Sequence, residues 1–328
     1  MSVPQAAAMR HNEYKKKRSQ RLNMPDKPGR VARRWSELSG NVRGILWISM
    51  GTIAFALNDV CVKLLGRKFD PTEIAFFRYL VGFIILSPVF WKMGKEGLKT
   101  SRPGIHFLRL VMACVAQVGV FLSIIHLPLA DATAISFSRP LFTIVVAVFL
   151  LSELVSRRRW VAAGIGFIGV VIMVRPFDAG YDPIALIAVG AAMTFAAANV
   201  LIRLMSTTEP PNRILFYYHL GGTLVFLGPA AWFWVQPVGI EWLLMAAIGA
   251  LTTIGMIGFV RAFSVGEANA VGPMEYVRLI YAALLGFYIF GEIPDTWTVV
   301  GALIIVGSAL YIAREEAFRS RKEAPPPA

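Results

Sequence analysis

The chain has 328 residues, 56% of them hydrophobic and 16% charged, with a mean hydropathy of +0.59 and a formal net charge of +13. That apolar share excludes an ordinary water-soluble domain and marks a membrane protein. The basic excess sits in the N-terminal arm and in alternate loops between apolar stretches, so it reads as membrane orientation and not as nucleic-acid binding.

Residues 1–43 carry KKKR at 15–18 and arginines at 21, 30, 33, 34 and 43, with little that could build a core. They are expected to form a cytoplasmic arm, in solvent or against anionic membrane lipid. The first apolar run is too long for a signal-peptide core and is expected to stay as an anchor. Cys61 and Cys114 both fall inside apolar stretches and read as packing residues, so nothing argues for a disulfide framework.

Ten apolar spans follow, at 44–65, 72–93, 104–126, 131–151, 157–174, 183–205, 213–235, 240–263, 268–290 and 295–313. Each is close to the ~20 residues an α-helix needs to cross a hydrocarbon core. Continuous apolar runs without strict alternation select helices over a barrel, so an all-α integral membrane protein is predicted. Lys92, Lys95, Lys99, Arg102, Arg157 to Arg159, Arg203, Arg213, Arg314, Arg319, Arg321 and Lys322 all fall on the side of the basic N-terminus. The positive-inside rule makes that side cytoplasmic, including both termini and the 314–328 tail. Arg67 and Lys68, on the other side, are the exception.

The second half of the chain repeats the first. A gapless shift of 140 aligns 55–88 with 195–228 and pairs Phe55 with Phe195, Val60 with Val200, Pro71 with Pro211, Phe76 with Phe216 and Gly82 with Gly222. A shift of 139 places Arg139 on Arg278 and Glu153 on Glu292. Each copy, 44–174 and 183–313, holds five spans. An odd number of crossings inverts the second copy, which is the repeat design of secondary transporters with a site near the midplane.

Phe-Phe-Arg-Tyr-Leu at 76–80, Ser-Glu and Gly-Glu closing the fourth and ninth spans, and the small-residue spans WVAAGIGFIGVVI (160–172) and WTVVGALIIVGSALYI (297–312) complete the pattern. Over about 44–313 the chain resembles the EamA branch of the drug/metabolite transporter superfamily. The resemblance implies an inner-membrane carrier of a small-molecule solute working by alternating access. Its solute would be amino-acid-like, S-adenosylmethionine-like or riboflavin-like. The fifth and tenth helices would serve as support or as a homodimer contact.

Arg139 and Arg278 lie deep in the fourth and ninth spans, where an arginine costs on the order of 2.5–3.5 kcal/mol and needs a polar cavity or a fixed partner. A guanidinium fork suits a substrate carboxylate or phosphate; the alternative is a permanent ion pair inside the bundle. Glu275 stands three residues before Arg278 as a ready partner, whereas Ser136 occupies the matching place beside Arg139. Pro140 is expected to bend the fourth helix. Asp59 and Arg78 lie at similar depth, so a salt bridge across the first hairpin is expected, with proton uptake by Asp59 as the sharper reading. Gln117, Asn199 and Tyr281 are further substrate-binding candidates, and Asp59 and Glu275 are the proton-coupling or ion-pair candidates. Asn58 could supply hydrogen bonds or act as interhelical glue, His219 could titrate, and Tyr79, Trp91, Phe137 and Tyr276 could wall a site for a ring-bearing solute.

No metal constellation, nucleophile elbow or phosphate-binding glycine loop is present, so no metal or cofactor is expected. The glycines of the fifth and tenth spans read as close helix packing. The rival to a transporter is an integral membrane enzyme acting on lipid or a lipid-linked substrate, with His126 and Asp131 as its acid-base pair.

Overall fold

The computed structural model describes residues 38–151, 155–176 and 182–323, apart from the side chains of 268, 269 and 316–323. The basic arm up to residue 37 and Glu153 lie outside that set. All regular structure in it is helical: α1 (Gly40–Leu65), α2 (Pro71–Leu98), α3 (Pro103–His126), α4 (Leu129–Ser136), α5 (Arg139–Leu151), α6 (Arg157–Val174), α7 (Pro183–Met205), α8 (Pro211–Trp232), α9 (Ile240–Val265), α10 (Ala268–Val271), a 3-10 segment (Gly272–Tyr276), α11 (Val277–Leu285), a π turn (Gly286–Phe290) and α12 (Thr296–Glu323).

Nine segments among the described residues are long and apolar enough to cross a bilayer. The remaining predicted span is α6, 18 residues long, which opens on Arg157, Arg158 and Arg159. The helix starts are written in the sequence. Pro71, Pro103, Pro183 and Pro211 each open a helix, where a missing N–H costs nothing. Asp70 and Asp182 accept the N–H groups of Thr72 and Ile184 at 2.8 and 2.9 Å.

Three predicted spans differ from what is observed. The second runs on to Leu98 through a kink at Gly94, whose φ of 64° suits glycine. The fourth is broken and not merely bent, between α4 and α5, in the turn where Pro140 cannot donate to the Ser136 carbonyl. There Ser136 and Ser138 donate to the carbonyls of Thr133 and Ile135, at 2.7 and 2.6 Å. The ninth unwinds around Gly272 and Pro273 into the 3-10 segment. Non-helical backbone at membrane depth is tolerated where it lines a cavity, and both breaks do so.

The two five-helix repeats interlock through equivalent contacts: α1 packs on α9, α3 on α7, α2 on α8, and α6 on α12. The repeat shift is visible atom by atom. A Cβ on Gly82 would stand 2.5 Å from the His219 ring, and one on Gly222 would stand 2.3 Å from Tyr79. Those two contacts are one contact related by the shift of 140, so the pseudo-two-fold axis runs between α2 and α8. Gly169 and Gly301 bring α6 and α12 so close that a Cβ on either would meet the other's carbonyl oxygen, at 2.9 and 2.7 Å.

Candidate functional site

Between α5, α7, α9, the 3-10 segment, α11 and α12 lies a cavity of 830 Å³. Arg159, Arg203 and Arg314 line it at the basic face of the bundle, where α1 begins, and Arg139, Asn199, Glu275, Tyr276 and Arg278 line it deeper down. Its size is within the range of small-molecule sites, roughly 300–1,000 Å³. Phe137, at the break between α4 and α5, meets Tyr276 of the 3-10 segment at 4.9 Å between ring centres and so joins the two broken helices across one wall.

Arg139 and Arg278 also border a recess of about 20 Å³, shared with Asp59, Thr133 and Ser136, which is room for roughly one water. Arg278 donates to Asp59 Oδ2 at 2.5 Å and lies 5.3 Å from the Phe55 ring centre. Asn58 donates to Asp59 Oδ1 at 3.4 Å, and Thr252 donates to Asn58 at 3.2 Å, so the carboxylate is held from α1, α9 and α11. Arg139 rests on the Phe195 ring at 4.7 Å, a cation–π contact, and its Nε is buried with no hydrogen-bond partner.

The sequence expectation paired Asp59 with Arg78 and offered Glu275 to Arg278. The structure pairs Asp59 with Arg278 instead, and Glu275 faces the cavity. Arg278 turns to the Asp59 carboxylate across the bundle, so its i,i+3 neighbour Glu275 is left lining the cavity. Arg78 points at the pseudo-two-fold axis, where it donates to Tyr218 at 3.2 Å and lies 5.2 Å from the Tyr79 ring centre. Arg109, a residue the sequence reading missed, stacks on Tyr218 at 4.8 Å in the same buried cluster as His219.

Arg139, Arg278, Asn199 and Glu275 thus come together on one cavity, with Asp59 in the recess below. Arg78, Gln117 and Tyr281 are not among the cavity-lining residues. Gln117 is buried within α3. Trp91 is 88% exposed on the outside of α2, and Tyr79 is fully buried, so neither walls the cavity. His126 sits at the end of α3 with Nδ1 2.9 Å from the Leu122 carbonyl.

An ion pair lies toward the opposite face of the bundle. Lys63 of α1 forms an ion pair with Glu292 and donates to the Leu127 carbonyl at 2.5 Å, while Leu129 N donates to Glu292 at 2.8 Å. One lysine and one glutamate therefore join α1, the α3–α4 turn and the end of the ninth crossing. Arg67 stacks on Phe290 at 5.5 Å and Lys68 pairs with Glu241 at 2.7 Å, which accounts for the two cations on the side opposite the basic face. Lys63 was legible through the repeat, since it matches Arg203 under the shift of 140.

At the basic face, Glu209 in the α7–α8 turn accepts from Thr100 at 2.7 Å and from Arg213 at 2.8 Å. Burial pushes its carboxyl up, but those bonds, the Arg213 charge and His106 outweigh it and hold it below the usual glutamate range. Arg213 Nε also donates to the Gly97 carbonyl at 2.8 Å, which ties the α2–α3 turn to α8.

The EamA-like transporter family matches this chain twice, over residues 42–175 and 182–314. The chain is 34% identical to an S-adenosylmethionine uptake transporter of Rickettsia prowazekii, over 84% of its own length and 94% of that protein's. It is 30% identical to a pseudopaline exporter of Pseudomonas aeruginosa, over 83% and 96% of the two chains. A riboflavin transporter of Vibrio cholerae is 28% identical over 86% and 96%. A solved crystal structure shares the fold at a TM-score of 0.56 and 20% identity, covering 87% of this chain and 98% of that one.

Proposed function

Because the chain belongs to the EamA-like transporter family, we propose that it carries a zwitterionic metabolite of the S-adenosylmethionine class across the bacterial inner membrane by alternating access. The observation that carries this reading is Arg139: a guanidinium at the deep end of the cavity that rests on an aromatic ring, with an amide, Asn199, on the neighbouring wall. A solute carboxylate supplies the acceptor that Arg139 lacks, and the guanidinium fork fits it bidentately. Glu275 suits the solute's cationic centre, and Phe137, Tyr276 and Phe263 suit a flat ring.

The basic face is the cytoplasmic one on the positive-inside rule, so this conformation faces the cytoplasm and the Lys63–Glu292 pair closes the far side. Alternating access then consists of rocking the repeats so that the contacts at the two faces exchange. Asp59 and Glu275 are the groups available to carry a proton through the cycle.

The test is counterflow of labelled S-adenosylmethionine in proteoliposomes. Exchange is expected with S-adenosylmethionine and to be much weaker with its decarboxylated analogue, which keeps the ring and the sulfonium. Equal exchange of the two would remove the carboxylate from recognition. Rates unmoved by an imposed pH gradient would remove Asp59 and Glu275 as proton carriers.

A further inference from the structure

The repeat shift puts Asp59 on Asn199, Phe55 on Phe195 and, at 139, Arg139 on Arg278. Both arginines stack on the equivalent phenylalanine, Arg278 on Phe55 and Arg139 on Phe195, at 5.3 and 4.7 Å. The two half-sites therefore share one construction. They differ at the third member, where α1 offers a carboxylate and α7 an amide.

The consequence is electrostatic. Arg278 is bonded to a carboxylate that is 2% exposed, while Asn199 opens onto the cavity and carries no charge to offer Arg139. At the deep end of the cavity two arginines, Arg139 and Arg278, stand against two carboxylates, Asp59 and Glu275, and Asp59 is committed to Arg278. A third carboxylate at position 199 would tip that balance and set beside Arg139 a counter-ion additional to Glu275, whose charge it already feels. Asparagine and aspartate have nearly the same shape, so the choice between them is one of charge.

We propose that Asn199 is a specificity-determining residue: its neutral amide keeps Arg139 available to a carboxylate on the solute, where the equivalent Asp59 neutralises Arg278 from within. This rests on the reading that the cavity takes a carboxylate-bearing solute. Asn199 acts through Arg139 and also presents its amide to the cavity.

The test reads the availability of the Arg139 guanidinium without relying on any solute. Full-length protein in lipid nanodiscs is labelled with phenylglyoxal, and the rate at Arg139 is followed by peptide mass spectrometry. Asn199→Asp should slow labelling of Arg139 by about tenfold, the scale of one charge-assisted bond, and Asn199→Ala should leave it unchanged. If Asn199→Asp folds poorly, Asn199→Cys is modified after purification with a 2-sulfonatoethyl or a trimethylammonioethyl disulfide. The anionic adduct should protect Arg139 and the cationic one should not. Cys61 and Cys114 are buried and give little background.

Equal labelling of Arg139 in the wild type and Asn199→Asp, or equal protection by both adducts, overturns the proposal. Counterflow of S-adenosylmethionine separates this from the transport reading. Absence of exchange in the wild type removes the transport reading, and exchange retained in Arg139→Gln removes Arg139 as the carboxylate site, whatever the labelling shows. Exchange lost in Arg139→Gln but intact in Asn199→Asp removes the role of Asn199 alone.

Discussion

Arg139→Gln is expected to reduce S-adenosylmethionine exchange by ten- to a hundredfold while leaving the protein folded. A charge-assisted hydrogen bond contributes about 1.5–3 kcal/mol, and each ~1.4 kcal/mol is a factor of ten in affinity. Glutamine is shorter and keeps some hydrogen bonding but loses the fork and the charge; lysine restores the charge without the fork, so Arg139→Lys should recover only part of the loss. The fold should survive because Arg139 makes no salt bridge among the described residues and lies on the Phe195 ring, and Glu275, the carboxylate that feels its charge, lines the open cavity and keeps Arg278 nearby. The decarboxylated analogue is the internal control: its exchange should be nearly indifferent to the substitution. A loss of the same size for both solutes would mean that Arg139 supports the helix break and not the carboxylate.

The Asp59–Arg278 pair should behave in the opposite way. Asp59→Asn leaves Arg278 buried beside Phe55 without its carboxylate, and breaking a buried pair from one side costs about 3–5 kcal/mol. That variant should lose thermal stability before any transport effect is read. Arg278→Gln strands Asp59, which is 2% exposed, and should be as damaging. The double variant Asp59→Asn with Arg278→Gln removes both charges and should regain much of the stability, because no charge is left unpaired and only the smaller glutamine leaves space unfilled. Thermal midpoints of the purified singles and the double check this. A double variant as unstable as the sum of the singles would show that the two residues act independently and that their 2.5 Å contact contributes little.

Much of this was legible in the sequence, and the failures share a cause. The repeat was legible because lipid demands helices of fixed length and the two copies kept matching residues at matching depth, as with Pro71 and Pro211 at two helix starts. Arg139 was legible because a lone guanidinium amid apolar residues has few inexpensive explanations. The partners were not. Asp59 and Arg278 are 219 residues apart in sequence, and the reading chose the nearer cation, Arg78, on an adjacent helix. It also offered Glu275 to Arg278 on helical spacing, whereas Arg278 is taken by Asp59 from a helix far away in sequence. Arg78 is drawn instead to Tyr218 because α2 and α8 meet on the pseudo-two-fold axis, a fact of packing that no single span contains. The shift of 140 could have revealed part of it, since it carries residue 78 onto residue 218. The Lys63–Glu292 pair was missed because a lysine near the end of a span reads as ordinary snorkelling.

A structure determined with S-adenosylmethionine bound to the wild-type chain decides whether a solute carboxylate binds Arg139 at the deep end of the cavity. The carboxylate is expected within hydrogen-bond distance of the Arg139 guanidinium, with the ring toward Phe137 and Tyr276. Density for the ligand elsewhere, or in the cavity with its carboxylate turned away from Arg139, would contradict it.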